Sequence, residues 1–402
     1  MPILFTIKNH LTILGILPVR EQHFPEIFRE YRLTFNTVHT LFILSMVMCY
    51  TSAVILFPFL RINRYEQYFQ SVLYCSVSIL RAILYSILIS KKSDLSNLFD
   101  ELANIIEKRS SKMKIREIYD QEITKAENFV KKFWKWISIS IAFSILPKIL
   151  VAIHGYFAFN HSTDSFQLII PVVLPFMWTN LRDYLLITST LAAWFFGGML
   201  ITVTTLEIVA GFSTLIKAFT MDIKQSLNDF NISIAGSDRN FNAKERIDIY
   251  QQFCEIIEFH CTAKEFTNRF SAFYGPVIAT FFYVSSTSIC ASLLSLNAAF
   301  ELHNTADVVS MIVGLSYVVL YIGIFCFFGE EVTKGFDEIN EDIYECSWED
   351  FAMELRKLFV TMLIGAQDPI YIHGYMNTRC TRQVFQSIFN GAYSYFSMLR
   401  GF

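Results

Sequence analysis

Leu363-Ile-Gly-Ala-Gln-Asp-Pro369 opens the last forty residues. A polar and basic stretch continues to Arg382, and an apolar helical pattern runs from Val384 to Leu399, ending Ala392-Tyr-Ser-Tyr-Phe-Ser-Met-Leu399. The sequence stops at Phe402. A proline that closes one helix, a polar link and a final apolar helix place the last element in a membrane, next to the C-terminus. Gln386, Ser387, Asn390 and Ser394 lie within it and are expensive against lipid, so one face is expected to be wet. Gly391, Ser394 or Tyr395, Met398 and Phe402 share a face at spacing three to four. Small and polar residues there stand above apolar Met398 and Phe402, which suits a pore closed by an apolar constriction that gates by dewetting. Packing on a neighbouring helix would use the same face, and periodicity alone does not choose.

Working outward, the chain has 402 residues, 53% of them hydrophobic and 17% charged, with 40 Phe and 19 Tyr. A soluble domain averages about 25% charged residues. The shortfall marks a polytopic, all-helical membrane protein. Apolar runs predict seven spans, at about 37–59, 68–90, 134–157, 184–216, 272–300, 308–328 and 384–399. The stretch before the last span is too polar for lipid, so a re-entrant or broken helix is expected at 370–382. Lys and Arg set the orientation. The loops at 91–132 and 217–269 are rich in both, and Lys8, Arg20, Arg29 and Arg32 precede span one. The loops of the opposite side carry only Arg61, Arg64 and Arg182. The N-terminus is therefore expected in the cytoplasm and the C-terminus outside. The sequon at Asn160 then falls in an external loop, where glycosylation is expected.

Other patterns bound the function by exclusion. Net charge is −3, so no nucleic acid or other polyanion is implied. Eight cysteines are scattered without a CxxC pair, and they read as small buried hydrophobes. No metal cluster, nucleotide loop or nucleophile elbow is present, so neither cofactor nor enzyme activity is expected. The apolar start, 1–17, is broken by Lys8, Asn9 and His10 and lacks a cleavage site. Absence of an internal repeat argues against an inverted-repeat transporter. Rhodopsin-type marks are missing, since Arg182-Asp-Tyr184 has the wrong order and lies on the external side. Arg81 and Lys148 are costly at mid-membrane, and Glu207 is the expected partner of either. From 337 to 358, Ile339, Ile343, Tyr344, Phe351, Leu355 and Leu358 alternate with acids at helical spacing, interrupted by Trp348. That stretch reads as an assembly anchor (Tyr344, Trp348, Phe351, Leu355) or as a helix on the membrane surface, its negative charge disfavouring anionic lipid.

Four segments in order carry a resemblance: Phe327-Phe-Gly-Glu-Glu-Val-Thr333, Ile343-Tyr-Glu-Cys-Ser-Trp348, Leu355-Arg-Lys-Leu358 with Ala366-Gln-Asp-Pro369, and Ser394-Tyr-Phe six residues from the end. Together they resemble the insect odorant receptors, in particular a ligand-tuned subunit. The related gustatory receptors end Thr-Tyr, five residues, Gln-Phe; Ser394-Tyr395, five residues, Gly401-Phe402 departs from this twice. The resemblance implies a heterotetramer with the family co-receptor, in the plasma membrane of olfactory sensory dendrites. Its central pore would pass cations without strong selection and be lined by the last helix, with Gly391, Ser394, Tyr395, Met398 and Phe402 at pore and gate. Divisions follow at 1–328 for six spans and the odorant-binding bundle, 329–382 for the anchor region and 383–402 for the pore helix. It implies a small, volatile, apolar odorant in the outer halves of spans two, three, four and six. There the chain offers Phe69, Leu73, Tyr74, Val151, Ile153, Gly155, Tyr156, Leu185, Thr188, Ser189, Ala192, Ile312, Leu315, Tyr317 and Tyr321. A homotetrameric gustatory-type channel and a metabotropic seven-helix receptor are the alternatives.

Overall fold

In the computed structural model, the residues described are 2–17, 32–60, 65–111, 113–158, 180–235, 243–301, 303, 305–346, 348, 353–374 and 378–400. Among them every regular element is a helix: α1 (Pro2–Ile13), α2 (Arg32–Leu60), α3 (Tyr65–Ser90), α4 (Lys92–Arg109), α5 (Met113–Ala158), α6 (Leu181–Ala235), α7 (Ala243–Glu301), α8 (Thr305–Glu345), α9 (Met353–Ala366) and α10 (Arg382–Arg400). Asn160, Phe351 and Phe402 lie outside the described residues.

Among the described residues five helices, α2, α3, α6, α7 and α8, are long and apolar enough to cross a membrane. The helices expected as spans three and seven, α5 and α10, are not in that group. For α10 the reason is its polar face, which carries Gln383, Gln386, Asn390 and Ser394. In the apolar stretch of α6, 94% of residues are buried, against 12% in α2. Hence α6 is the axis of the bundle and α2 its lipid-facing rim, with Val38, Leu41, Phe42 and Met48 exposed.

At 55 and 59 residues, α6 and α7 are each about 80–90 Å long, several times what a bilayer of about 30 Å requires. Their continuation is held by rings at helical spacing. Phe212 stacks on Phe270 at 5.0 Å and on Phe266 at 6.1 Å, Phe219 meets Phe259 edge-on at 5.8 Å, and Phe230 stacks on Phe253 at 5.0 Å. Offset and edge-on contacts of this kind add to the burial of the rings themselves. The N-terminal helix joins this core. Leu4, Ile7 and Leu11 are buried on one face of α1, and His10 reaches Glu207 of α6 at 2.6 Å.

Several expectations are corrected. Glu207 is taken by His10 and by the Trp134 indole N–H, so it is not the partner of Arg81; the Lys148 side chain is outside the described residues. A sequence supplies the charges but not their depths, and α1 brought in a competitor from far upstream. The described residues before α10, 370–374 and 378–381, are not helical. They hold an isolated antiparallel bridge between His373 and Arg379 and dock on α7 through the His373 N–H to Ser271 Oγ (3.0 Å). The helix expected over 337–358 is two, because α8 ends at Glu345 and α9 begins at Met353. Of the cysteines, Cys290, Cys326, Cys346 and Cys380 are buried, whereas Cys49 and Cys261 are exposed.

A candidate ligand site tied to the last helix

Polar groups in an apolar bundle turn inward and find one another. On α8, Tyr317 and Tyr321 lie one turn apart, both buried, and their hydroxyls hydrogen-bond to each other. Trp136 of α5 stacks on Tyr317 at 6.4 Å, Phe133 meets Tyr321 edge-on at 6.2 Å, and Phe281 of α7 stacks on Tyr321 at 5.6 Å. Thr202 of α6 and Arg81 of α3 flank the two phenols. The Arg81 guanidinium lies over the Phe195 ring at 5.0 Å. Five helices therefore meet at one aromatic cluster with a few polar atoms, the composition of a small-molecule site.

Two smaller clusters lie toward the other end of the bundle. Leu73, Ala291 and Met311 pack with Tyr74 and Val77, and Tyr184 packs with Tyr156 and Leu181. Ser76 and Ser288 join α3 to α7 at 2.9 Å. Of the residues read as ligand contacts, Leu73, Thr188, Tyr317 and Tyr321 are buried, while Tyr74, Ile153, Tyr156, Ala192 and Leu315 are half-buried. Leu185, Ser189 and Ile312 are exposed, each one residue off the inward face that Tyr184, Thr188 and Met311 occupy. The side chains of Phe69, Val151 and Gly155 are outside the described residues. Trp136, at the inner end of span three, Thr202, deeper in span four, and Phe281, on span five, fall outside the outer halves of spans two, three, four and six, whereas Phe195 and Met311 lie within them and carry no signal that separates them from their apolar neighbours. The signal that finds most of this region is polar residues within apolar runs: Arg81, Thr202, Tyr317 and Tyr321.

From the tyrosines α8 continues to the start of α10. Phe325 touches Phe281 at 4.7 Å, and Cys326 is buried. At Gly329 the segment before α10 crosses so closely that a Cβ would lie 2.3 Å from Cys380 Cβ and 2.8 Å from its carbonyl oxygen. Glu330 then accepts the backbone N–H of Arg382 at 2.8 Å and pairs with its guanidinium at 3.5 Å, while Arg382 lies over Phe327 at 5.0 Å. A carboxylate at a helix N-terminus satisfies a free donor and the helix dipole together. Burial would raise the Glu330 pKa, but the Arg382 N–H and Lys334 outweigh it and hold the group below its ordinary range. Glu331 pairs with Lys217 of α6 at 2.6 Å. The Phe327–Thr333 motif is thus the joint where α6, α8 and α10 meet.

On α10, Ala392 is fully buried and Val384, Phe385, Ile388 and Phe389 are half-buried against α7 and α8. Ser394, Tyr395 and Met398 face outward and Gly391 is half-buried. At the other end, Tyr344 is 70% exposed, Trp348 stacks on Phe359 while 40% exposed, and Leu355 is buried. A groove of about 780 Å³ between α5, α6 and α8 is lined by Lys125, Lys217, Lys224, Glu331, Glu338 and Asp342. Its own ion pairs, such as Lys224 to Glu338 at 2.8 Å, make it unsuited to an apolar ligand.

Near the far end of α7, His260 is buried against Phe336, and burial, then Lys264, lowers its pKa to about 4. Between that value and the ordinary one of about 6.5 the unfolded chain binds a proton the folded chain refuses, so stability falls as pH drops through this window. The loss is at most about 3 kcal/mol by pH 4. His260→Gln is expected to remove this part of the pH dependence, as read from melting temperatures of the purified protein between pH 7.5 and 5. Parallel pH slopes for the two proteins would show that His260 does not contribute.

The family model described as 7tm Odorant receptor matches residues 64–393. Odorant receptor 94a of Drosophila melanogaster is 22% identical over 296 residues, 70% of each chain. Odorant receptor Or2 of Anopheles gambiae is 24% identical over 155 residues, 38% of this chain and 39% of that one. Among solved structures, the insect olfactory receptor OR5 from Machilis hrabei has a TM-score of 0.77 over 98% of this chain and 96% of its own, at 16% identity. The same receptor in complex with eugenol gives 0.73 at 17% identity, over 98% and 97%. At these identities the likeness shows the fold.

Proposed function

Because the chain belongs to the insect odorant receptor family, we propose that it is an odorant-gated, non-selective cation channel subunit working in a heteromer with the family co-receptor. In this reading α2, α3, α5, α6, α7, α8 and α10 cross the plasma membrane of an olfactory dendrite, with the N-terminus inside and the C-terminus outside. A small volatile ligand binds within the bundle between α3, α5, α6 and α8. The last helix lines the pore, with Gly391, Ser394, Tyr395 and Met398 toward the conduction path and Phe402 at its end. Tyr344 and Trp348, exposed in the single chain, then supply part of the subunit contacts, with Phe351 and Leu355 of the same anchor. Asn160 carries a glycan on the external face.

One observation carries the reading: α8 holds both the Tyr317–Tyr321 cluster and the Glu330 grip on α10. A ligand that repacks the first displaces the second along one rigid element. It opens the channel only to the extent that it binds the open arrangement more tightly than the closed one.

The test is whole-cell current from cells expressing the chain alone and with an insect odorant co-receptor, under a broad volatile panel. Cation current only in the co-expressing cells is the expected result. Current from the chain alone would favour a gustatory-type homotetramer. A response in co-expressing cells that requires a G protein and carries no current of its own would contradict the channel.

A further inference from the structure

Arg81 is 97% buried in the middle of α3, and its Nε and Nη2 atoms have no hydrogen-bond partner among the described residues. Its Nη1 side lies against Gly198 of α6, where a Cβ would come within 2.9 Å. Among the described residues the neighbouring groups are neutral: the Phe195 ring under the guanidinium, the Tyr317 hydroxyl that hydrogen-bonds to it, and the hydroxyls of Tyr321 and Thr202. Glu207, the acid on the adjoining helix, is committed to His10 and Trp134. Burying an arginine without an anion is strongly unfavourable, and such residues in apolar bundles mark ligand or ion sites.

The same chain shows what this edge of an arginine binds. In Arg109 the parallel Nε–H and Nη2–H donate to the two oxygens of the Asp222 carboxylate, at 2.8 and 2.6 Å. A fork of two parallel donors matches a carboxylate in geometry and charge, whereas an alcohol or ester oxygen engages one donor and leaves the other empty. The edge filled in Arg109 is empty in Arg81.

We infer that Arg81 is the receiving group for a small organic carboxylate, held on its Nε–Nη2 edge with the apolar body of the ligand among Phe195, Trp136 and Tyr317. The inference rests on the odorant-channel reading above and narrows its ligand from any apolar volatile to an acid. Gly198 is part of the site, because a Cβ there would press on the guanidinium and push it from its present place.

The experiment is current recording from cells co-expressing the chain and the co-receptor. Straight-chain acids from acetic to octanoic and phenylacetic acid are each applied beside their methyl ester and the alcohol of the same skeleton. At least one acid is expected to act at concentrations about tenfold or more below its ester. Arg81→Gln should abolish that preference, so that each acid and its ester act at equal concentrations. Arg81→Lys, which keeps the charge but not the fork, should fall between. Gly198→Ala, whose methyl meets Nη1, should weaken the acid preference from the other side. If the Arg81 variants fail to reach the surface, Gly198→Ala and the acid-to-ester ratio of the unaltered chain still decide. Neutral odorants that gate the channel as well as every acid would overturn the inference and leave the channel reading standing. So would Arg81→Gln weakening acid and neutral responses alike, since that marks a structural role. Silence to every probe and to the wider volatile panel would instead count against the channel itself.

Discussion

Gly329→Ala is expected to abolish odorant-evoked current while the protein still reaches the cell surface. The added methyl would stand 2.3 Å from Cys380 Cβ and 2.8 Å from its carbonyl oxygen, closer than nonbonded carbon atoms come. Part of the obstacle is backbone, and Cys380 is fixed by its N–H to the Ile372 carbonyl at 2.9 Å. The segment before α10 must therefore move away from α8, and the Glu330 contact with the Arg382 N–H opens. A hydrogen bond to a charged group contributes about 1.5–3 kcal/mol, so losing it shifts a closed–open equilibrium by about 10- to 100-fold. Glu330→Gln keeps the shape and removes the charge, so a smaller rise in the half-maximal odorant concentration is expected. Dose–response curves beside surface biotinylation measure both. Currents from Gly329→Ala equal to those of the unaltered chain would show that this joint does not transmit gating.

Asp222→Ala is expected to destabilise the bundle by about 3–5 kcal/mol, the usual cost of removing one partner of a buried ion pair. Asp222 is fully buried and holds Arg109 through two hydrogen bonds, with Tyr119 donating a third at 3.2 Å. The Arg109 guanidinium lies over the Phe259 ring, 4.2 Å from its centroid. Burial, then the Asp222 charge, pushes the Tyr119 phenol above its ordinary pKa, so the phenol stays a neutral donor. The network pins α4 and α5 to the extramembrane part of α6. Removing both charges should recover much of the loss, because an apolar pair of similar volume leaves no stranded ion. The melting temperature of Asp222→Ala should lie well below that of Arg109→Met/Asp222→Leu. Equal melting temperatures for the two variants would show that the stranded charge is not the cause.

What the sequence made legible follows from which physical signals are local. Apolar runs disclosed the spans in α2, α3, α6, α7 and α8, because the cost of lipid contact is paid residue by residue. The resemblance carried by Phe327–Thr333 and the segments after it led to the right family, yet not to what those residues do in the fold. Only the crossing of Gly329 by Cys380 and the reach of Glu330 to Arg382 give that motif its cause. Long-range pairings were illegible. The meeting of His10 with Glu207, or of Arg109 with Asp222, depends on two helices being brought side by side. The bridge between His373 and Arg379 was hidden for the same reason, since the segment also hydrogen-bonds to α7. A single residue, little more than a quarter turn of phase, separated the exposed Leu185 and Ile312 from the buried Tyr184 and Met311, a distinction periodicity alone does not make within runs that are apolar on every side.

The most direct measurement is thiol accessibility along α10. Met398→Cys and Ala392→Cys would each be co-expressed with the co-receptor and exposed during odorant application to a charged, membrane-impermeant methanethiosulfonate. The unaltered chain, with Cys49 and Cys261 exposed, serves as the background. If the last helix lines the pore, modification at position 398, which is 54% exposed, blocks the odorant-evoked current irreversibly, and position 392, fully buried against the bundle, is unaffected. Block at position 392 with none at 398, or no block at either while the current persists, would contradict a conduction path along α10.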